Sequence, residues 1–407
     1  MTPAWIEIAA ILTLAGLAAV PVVPWMTALF PVEPGRSGDE ARFVDAIERP
    51  LLRAAGAWPV RETGAAEYAR SLVVMHGVGF LLLLAILRLQ GLLPWNPAGL
   101  PAVPWGIAVN TAVSFVTNTN WQSYAGETTL SPLSQACGLT VQNFASAAVG
   151  ICVLAALLRG FVRTSSATVG NFWQDLVRAT VMLLLPLSTL LALLFVWQGV
   201  PQSLAATAGA GGTGPIATQT AIALVGSNGG GYFNANVAHP LANPTPLSNV
   251  LAIVGLMVVP IAGCLAFGRL VGDRRQGRAI LLANVLLFLP ALLVIVAAET
   301  APNPWLPSDV DQAATVEHDG GSLEGKEVRF GSGATALFAA ATTATSTGAV
   351  DGMHDSLSPI GGLVTLFLMQ LGEVVFGGVG TGVAGMIVYA RSEEHTSELQ
   401  SRQYLVC

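Results

Sequence analysis

Three short clusters of glycine, threonine, serine and asparagine are the parts of this sequence best suited to chemistry. They are Thr117-Asn118-Thr119-Asn120, Gly226-Ser227-Asn228-Gly229 and Thr345-Ser346-Thr347-Gly348. A dehydrated monovalent cation needs several oxygen ligands, and main-chain carbonyls supply them without a fixed charge that would hold the ion too tightly. Glycine permits backbone angles that turn successive carbonyls inward, and small hydroxyl and amide side chains can brace the loop from behind. The clusters therefore predict a carbonyl-lined site for a monovalent cation.

A short segment of apolar or small residues precedes each cluster, near 101–116, 214–225 and 333–344. Such a segment is too short to cross a membrane, and its position before a polar loop is typical of a re-entrant pore helix. The helix would direct the negative end of its dipole towards the loop, which favours a cation. Non-helical backbone is tolerated at membrane depth only where protein buries it or where it lines a watery path. We therefore expect the loops to line a conduction route.

The composition is that of a membrane protein. Of the 407 residues, 53% are hydrophobic and 10% are charged, whereas soluble globular chains carry about 25% charged residues. The net charge of −6 argues against a nucleic-acid partner, so lipid is the expected surrounding. Stretches that are apolar and long enough to span about 30 Å of hydrocarbon lie near 4–29, 71–93, 133–158, 176–200, 250–270, 280–298 and 360–390.

Arginine is concentrated in alternate connections between these stretches. The residues concerned are Arg36, Arg42, Arg49, Arg53, Arg61 and Arg70 after the first stretch, Arg159 and Arg163 after the third, and Arg274, Arg275 and Arg278 after the fifth. Because positively charged connections stay in the cytoplasm, these three connections are expected inside, with the polar clusters and the N-terminus outside. The first stretch lacks the short basic head of a signal peptide, so we interpret it as a retained helix.

A pattern of long stretch, short helix, polar loop and long stretch recurs about every 115 residues. The pattern predicts an all-α polytopic membrane protein built from repeated units with re-entrant pore helices. The expected parts are an extra N-terminal transmembrane helix at 1–30 and pore repeats at 71–158, 176–270 and 280–390. Three ordinary polar loops that share small residues by chance are the alternative to this repeat.

Four further residues are candidates for a pore or gate. Gln122, just beyond the first cluster, either shapes the mouth of the site or braces the loop. Glu373 lies within the seventh stretch, where an ionisable group is costly and therefore a functional candidate. Gly378 and Gly380 belong to a glycine-rich run that breaks the same stretch. That run predicts either an intramembrane gate or close helix packing.

Several longer strings carry a resemblance to a known family. They are TNTNWQSYAGETTLSPLSQACGLTVQNF, GSNGGGYFNANVAHPLANPT, VGDRRQGR, and EGKEVRFG followed by TTATSTGAVDGMHDSLSP. In order and position the chain resembles the KdpA family, the potassium-translocating subunits of the bacterial Kdp transporter, from the first stretch to about residue 390. The resemblance implies a fold related to four linked potassium-channel subunits, each contributing one loop to a central filter. The filter residues it implies are Asn118, Thr119, Asn120, Ser227, Asn228, Gly229, Ser346, Thr347 and Gly348.

The energy source is expected to lie outside this chain. The sequence contains no GxxxxGK[ST] phosphate loop and no DKTGT phosphorylation motif, so we predict a non-catalytic subunit that binds no nucleotide. The resemblance implies a KdpB-like P-type ATPase and a KdpC-like small subunit as partners. It also implies potassium as the transported ion and the bacterial inner membrane as the location. A stand-alone Trk-like or Ktr-like potassium transporter and a membrane scaffold without conduction are the alternatives.

The sequence changes abruptly after Ala390, to RSEEHTSELQSRQYLVC. This polar stretch, 391–407, is unlike the family and is expected to be an aberrant tail. The fourth repeat, with its own filter loop, is then expected to be missing from this chain.

Overall fold

The computed structural model describes residues 4–33, 39–163, 166–204, 214–315, 320–372 and 374–388. In chain order the helices are α1 (Ala4–Leu29), α2 (Asp39–Ala54), α3 (Ala65–Leu89), α4 (Trp105–Val116), α5 (Gly126–Thr129), α6 (Val141–Val162), α7 (Phe172–Val177), α8 (Leu185–Trp197), α9 (Ile216–Val225), α10 (Pro246–Leu270), α11 (Arg274–Thr300), α12 (Gly331–Ala344) and α13 (Pro359–Gln370). Strands β1 (Thr63–Gly64) and β2 (Thr168–Gly170) form one short antiparallel pair.

Two π-helical segments lengthen the central helices. Ser134–Thr140 runs directly into α6, and Arg178–Leu184 joins α7 to α8. Within the described residues, six helices are therefore long and apolar enough to cross a membrane. They are α1, α3, Ser134–Val162, Phe172–Trp197, α10 and α11. Each of the first six predicted stretches coincides with one of these helices.

The seventh stretch, near 360–390, is not one continuous helix, in agreement with the break predicted at its glycine-rich run. Helix α13 ends at Gln370, the described residues 371–372 and 374–380 form turns and bends, and a helix resumes at residue 381. Gly372, Gly377 and Gly380 have φ values of 78°, 74° and 83° in this segment. A left-handed backbone cannot continue a right-handed helix, so the glycine-rich run interrupts it.

Helix α2, in the connection after α1, was not predicted from the sequence. It is amphipathic, with Val44 and Leu52 buried and Arg49 and Arg53 exposed. Its buried Glu48 forms an ion pair with Arg178, with Nε 2.6 Å from Oε2. The connection is therefore a folded part of the molecule rather than a plain charged loop.

Packing separates an inner set of helices from an outer one. Helix α10 packs along α1, α9 and α11, and α9 and α12 are buried at nearly every residue. By contrast α3 exposes Leu81 and Leu82 at 64% and 60% of their surface. Exposed leucine on a long apolar helix is typical of a surface that faces lipid, where every backbone polar group is satisfied within the helix.

Ion pairs made by buried arginines connect the helix ends on one side of the bundle. Arg159 donates to both carboxylate oxygens of Asp175, at 2.5 and 2.9 Å, and the Tyr68 hydroxyl donates to the same carboxylate at 2.9 Å. Arg163 likewise binds Glu62, at 2.7 and 3.0 Å. The arginines expected only to set membrane orientation thus also join α3, α6 and α7.

We predict that Asp175→Asn will strongly destabilise the folded protein. The substitution leaves Arg159, whose side chain is only 4% exposed, without a countercharge, and breaking a buried pair costs about 3–5 kcal/mol. Chemical denaturation of the full-length protein in detergent measures the loss. The control is Glu67→Gln, which breaks the exposed pair with Arg61 and should cost at most about 1 kcal/mol. Equal losses in the two variants would contradict the assignment.

Candidate ion-binding site

Each predicted loop begins where a short helix ends. Helices α4, α9 and α12 end at Val116, Val225 and Ala344, close to the predicted ends of the short apolar segments. The C-terminal end of each helix carries the negative end of its dipole, and the loop starts there. All three helices therefore favour a cation at the loops.

The three loops share an unusual backbone pattern. The last three residues of each cluster form a triplet, at 118–120, 227–229 and 346–348. The first and third residues of each triplet have positive φ, and the middle residue does not. The values are 63° at Asn118 and 55° at Asn120, 49° at Ser227 and 79° at Gly229, and 57° at Ser346 and 77° at Gly348. Alternation of left-handed and right-handed residues allows successive carbonyls to lie on one side of the chain. Non-glycine residues held in the left-handed region cost about 1–3 kcal/mol each and cluster at functional sites.

Asn118 connects the first loop to the second. Its Nδ2 donates to the carbonyl oxygens of Ser227 and Gly226, at 3.1 and 3.3 Å. Its Oδ1 accepts from Nδ2 of Asn228, a residue with no exposed surface. Side-chain amides of the two loops therefore hold the two backbones against each other.

Helix α6 supports both loops from behind. Ser146 Oγ donates to Asn118 Oδ1 at 2.8 Å, and Asn120 Nδ2 donates to Asn143 Oδ1 at 2.7 Å. Asn228 Nδ2 also lies 3.3 Å from the Asn143 carbonyl oxygen. Sequence analysis missed Asn143 and Ser146, although two polar residues three apart in an apolar stretch signal a buried polar contact.

The second and third loops touch through their backbones. A Cβ atom at Gly229 would overlap the carbonyl oxygen of Thr347. Within the third loop the hydroxyls of Thr345 and Thr347 are 2.7 Å apart. The approach of these two loops therefore requires glycine at position 229.

Two cavities meet at the loops. One of about 830 Å³ is lined by residues of the first and third loops and by Thr342, while the other, of about 410 Å³, is lined by Gln122 and Tyr124. Asn120, Gly229 and Gly348, the last residue of each triplet, line both cavities. The three loops thus lie together between two open spaces.

Burial differs among the loops. Ser227 and Asn228 are 1% and 0% exposed, whereas Thr119 and Gly348 are exposed. The neighbouring Trp121 is 74% exposed. The cluster is therefore open on the side between the first and third loops.

Gln122 lies on the rim of the smaller cavity. Its Oε1 accepts from the backbone N–H of Gly231 at 2.9 Å, and its Nε2 donates to the Tyr124 hydroxyl at 3.3 Å. The side chain thus braces the first loop against the second.

Of the gate candidates, Gly378 and Gly380 lie beneath the third loop, and Glu373 lies outside the described residues. A Cβ atom at Gly378 would be 3.5 Å from the Ser346 side chain. One at Gly380 would overlap the carbonyl oxygen of Gly150 in α6. The irregular segment after α13 therefore passes from the third loop to α6.

A buried ion pair before α12 was also missed. Glu299 binds Lys326 at 2.8 Å, and its Oε1 accepts from the N–H and hydroxyl of Ser358, at 2.9 and 2.7 Å. Neither residue was a candidate in the sequence, because residues 299 and 326 are too far apart in the chain for their contact to be predicted. The contact fixes the end of α11 to the start of α13.

Asp351, three residues beyond Gly348, is a second buried acid near the loops. Its Oδ2 accepts from Asn249 Nδ2 at 3.1 Å, and its exposed fraction is 1%. Burial raises the pKa of the Asp351 carboxyl to about 8. It joins the chain after the third loop to the start of α10.

These features define a class: a multi-pass, α-helical membrane protein with three clustered polar loops. The family described as KdpA, potassium-transporting ATPase A subunit, matches residues 9–391. The chain belongs to this family.

Three relatives, each a potassium-transporting ATPase potassium-binding subunit, illustrate the similarity. Those from Sorangium cellulosum and Laribacter hongkongensis are both 51% identical, over 90% and 88% of this chain and 67% and 64% of their own length. That from Klebsiella pneumoniae strain 342 is 52% identical over 84% of this chain and 62% of its own. The chain thus spans roughly two thirds of the length of these relatives.

We predict that Gly229→Ala will weaken cation binding far more than Gly199→Ala. Both glycines have positive φ, 79° and 98°, so the backbone cost is similar. Only the first substitution creates an overlap, because a Cβ at Gly199 meets nothing within 4 Å. The shift in denaturation temperature of the full-length protein on adding potassium measures binding. Matching potassium shifts in the two variants would refute a role for close loop contact.

Proposed function

We propose that this chain is the potassium-binding and potassium-translocating part of an ATP-driven uptake complex. The observation that carries the proposal is the alternating φ pattern at matched positions of three loops, each at the C-terminal end of a short helix. In this function the loops form a filter in which carbonyl oxygens replace the water around a potassium ion. The names of the relatives support the choice of ion.

The residues proposed to provide the filter are those of the three triplets. They are Asn118, Thr119, Asn120, Ser227, Asn228, Gly229, Ser346, Thr347 and Gly348. Their main-chain carbonyls are the ligands, and their side chains hold the loops in place. Because a carbonyl carries no net charge, the filter binds the ion firmly enough to select it and weakly enough to release it.

Each filter loop belongs, in this proposal, to one repeated pore unit, and a fourth unit completes the ring. Helix α4 exposes an apolar stripe of Trp105, Val109 and Val113, at 62%, 39% and 48% of their surface. Helices α9 and α12, which occupy the equivalent place in the other two units, are nearly all buried. In this proposal the stripe packs against the fourth unit, whose loop would fit on the open side between the first and third loops.

Gly378 and Gly380 form the proposed gate. They lie in the irregular segment between the third loop and α6, below the larger cavity. Short non-helical backbone at membrane depth can change its path without unfolding a helix, which suits it to open and close a conduction route. Glu373, in the same run of sequence, is the proposed ionisable group of this gate.

ATP hydrolysis is assigned to a partner. The relatives are named as potassium-binding subunits of a potassium-transporting ATPase, and we propose a KdpB-like P-type ATPase and a KdpC-like small subunit as partners. Potassium would enter the filter from outside, reach the larger cavity and pass on to the ATPase subunit. The proposed location is the bacterial inner membrane, with the N-terminus outside.

The orientation can be tested by cysteine labelling in a cysteine-free background. We predict that a cysteine replacing the exposed Asp311 will react with an impermeant reagent added to sealed cells. Cysteines replacing Arg53 or Arg275, both exposed, should react only after the membrane is opened, because positively charged connections face the cytoplasm. Strong labelling at position 275 in sealed cells would reverse the orientation.

The dependence on a partner can be tested by transport. We predict that potassium uptake by the full-length protein in its complex will stop when phosphorylation of the ATPase subunit is blocked. The physical reason is that the filter alone lets potassium move only down its gradient. Uptake of potassium tracer in cells that carry the blocked partner is the measurement, with the unblocked complex as control. Unchanged uptake would place the protein with stand-alone Trk-like or Ktr-like transporters.

A further inference from the structure

Asn236, seven residues beyond Gly229, joins the outer ends of the second and third loops. Its Nδ2 donates to the Gly229 carbonyl oxygen at 2.8 Å. Its Oδ1 accepts from the backbone N–H of Val350 at 3.2 Å and of Val237 at 2.8 Å. One side-chain amide thus holds the last carbonyl of the second triplet and the chain just past the third.

Gln122 makes the equivalent link between the first and second loops, to the N–H of Gly231. Gly231 and Val350 occupy matching places, each two residues after the end of a triplet. In both cases a side-chain amide oxygen from one loop region accepts a hydrogen bond from the backbone N–H at the equivalent position of the next loop. Two equivalent side-chain hydrogen bonds therefore link neighbouring loops just past their triplets, and Asn236 makes the second.

The Asn236 amide has one orientation that fits its neighbours. Reversing it would place its NH₂ group against two backbone N–H donors and its oxygen against the Gly229 carbonyl, so the observed orientation is the satisfied one. Its φ of 54° is left-handed, a conformation that asparagine tolerates better than most residues. A Cβ atom at Gly231 would lie 3.0 Å from Asn236 Nδ2, so the amide is closely confined.

We propose that Asn236 is a positioning residue that sets ion discrimination, a proposal that rests on the filter function above. Its amide fixes the direction of the Gly229 carbonyl and the spacing between the second and third loops. Gly229 itself lies against the Thr347 carbonyl. A carbonyl filter selects by the number and arrangement of its oxygens. Without the hydrogen bond from Asn236 the Gly229 carbonyl turns freely, and larger cations such as rubidium compete better with potassium.

The test uses Asn236→Gly in the full-length protein assembled with its ATPase and small subunits. Glycine retains the left-handed backbone and removes only the amide. We expect the half-saturating potassium concentration for ATPase stimulation to rise about ten-fold, given the loss of the hydrogen bonds to the Gly229 carbonyl and to the Val350 N–H. We also expect the ratio of potassium to rubidium response to fall, with normal complex yield and maximal rate.

Asn234→Gly is the matched control. Asn234 is exposed, lies in the same turn and is bound through its backbone N–H, which donates to Glu127 Oε2 at 2.8 Å. Its variant should keep the wild-type half-saturation and ion preference. If Asn236→Gly does not assemble, Asn236→Asp replaces it, because aspartate keeps the acceptor for Val237 and Val350 while a carboxylate oxygen replaces the donor to Gly229 and repels that carbonyl. That variant should also lose ion preference.

The outcomes separate this inference from the proposed function. A wild-type complex with no potassium response, either in ATPase rate or in thermal stability, would overturn the filter function itself. A normal wild-type response together with wild-type affinity and ion preference in the Asn236 variant would overturn only the role of Asn236. A variant that loses maximal rate or yield while keeping its half-saturation and ion preference would show a merely structural residue and would also overturn the inference.

Discussion

The structure depends on a constraint that membranes impose on backbone polar groups: outside a helix, each N–H and C=O at membrane depth needs a partner in the protein or in water. Three loops leave their helices here and must meet this requirement. The N–H groups of the loops donate to carbonyls of the preceding helix, as the Asn228 N–H does to Ala223, and side chains of the neighbouring loop bind some of the loop carbonyls. Asn118 binds carbonyls of the second loop, and Asn143 and Ser146 hold the side-chain amides of Asn120 and Asn118 in place. The loops are therefore stable as a group.

This mutual dependence explains how the strained backbone persists. Asn118, Asn120, Ser227 and Ser346 all have positive φ, and non-glycine residues in this region cost about 1–3 kcal/mol each. A buried amide hydrogen bond contributes about 0.5–1.5 kcal/mol, so one bond does not offset one strained residue. Several hydrogen bonds that share residues across loops can offset the cost of the strained residues, and burial keeps water from competing with these bonds.

Much of the local structure could be predicted from the sequence. The three short helices and the polar clusters that follow them could be predicted from composition and spacing, because each is specified by adjacent residues, whereas the filter residues within the clusters are implied by the family resemblance. The partners of those residues could not be predicted. Asn118 and Asn228 are 110 positions apart, and Asn236 and Val350 are 114 apart, so only the folded chain brings them together. Helix α2 was missed because its charged residues were considered only as orientation signals.

Charged side chains surround the triplets but do not lie within them. Buried ion pairs lie at the helix ends, as Arg159 with Asp175 and Glu299 with Lys326, and the triplets contain no ionisable side chain. An ion site built from uncharged carbonyls depends on the spacing of its oxygens, so its precision must come from the surrounding frame. Buried pairs are costly to break even where they add little net stability. Such ion pairs therefore suit the helices around the loops, which must keep the loop carbonyls in one geometry.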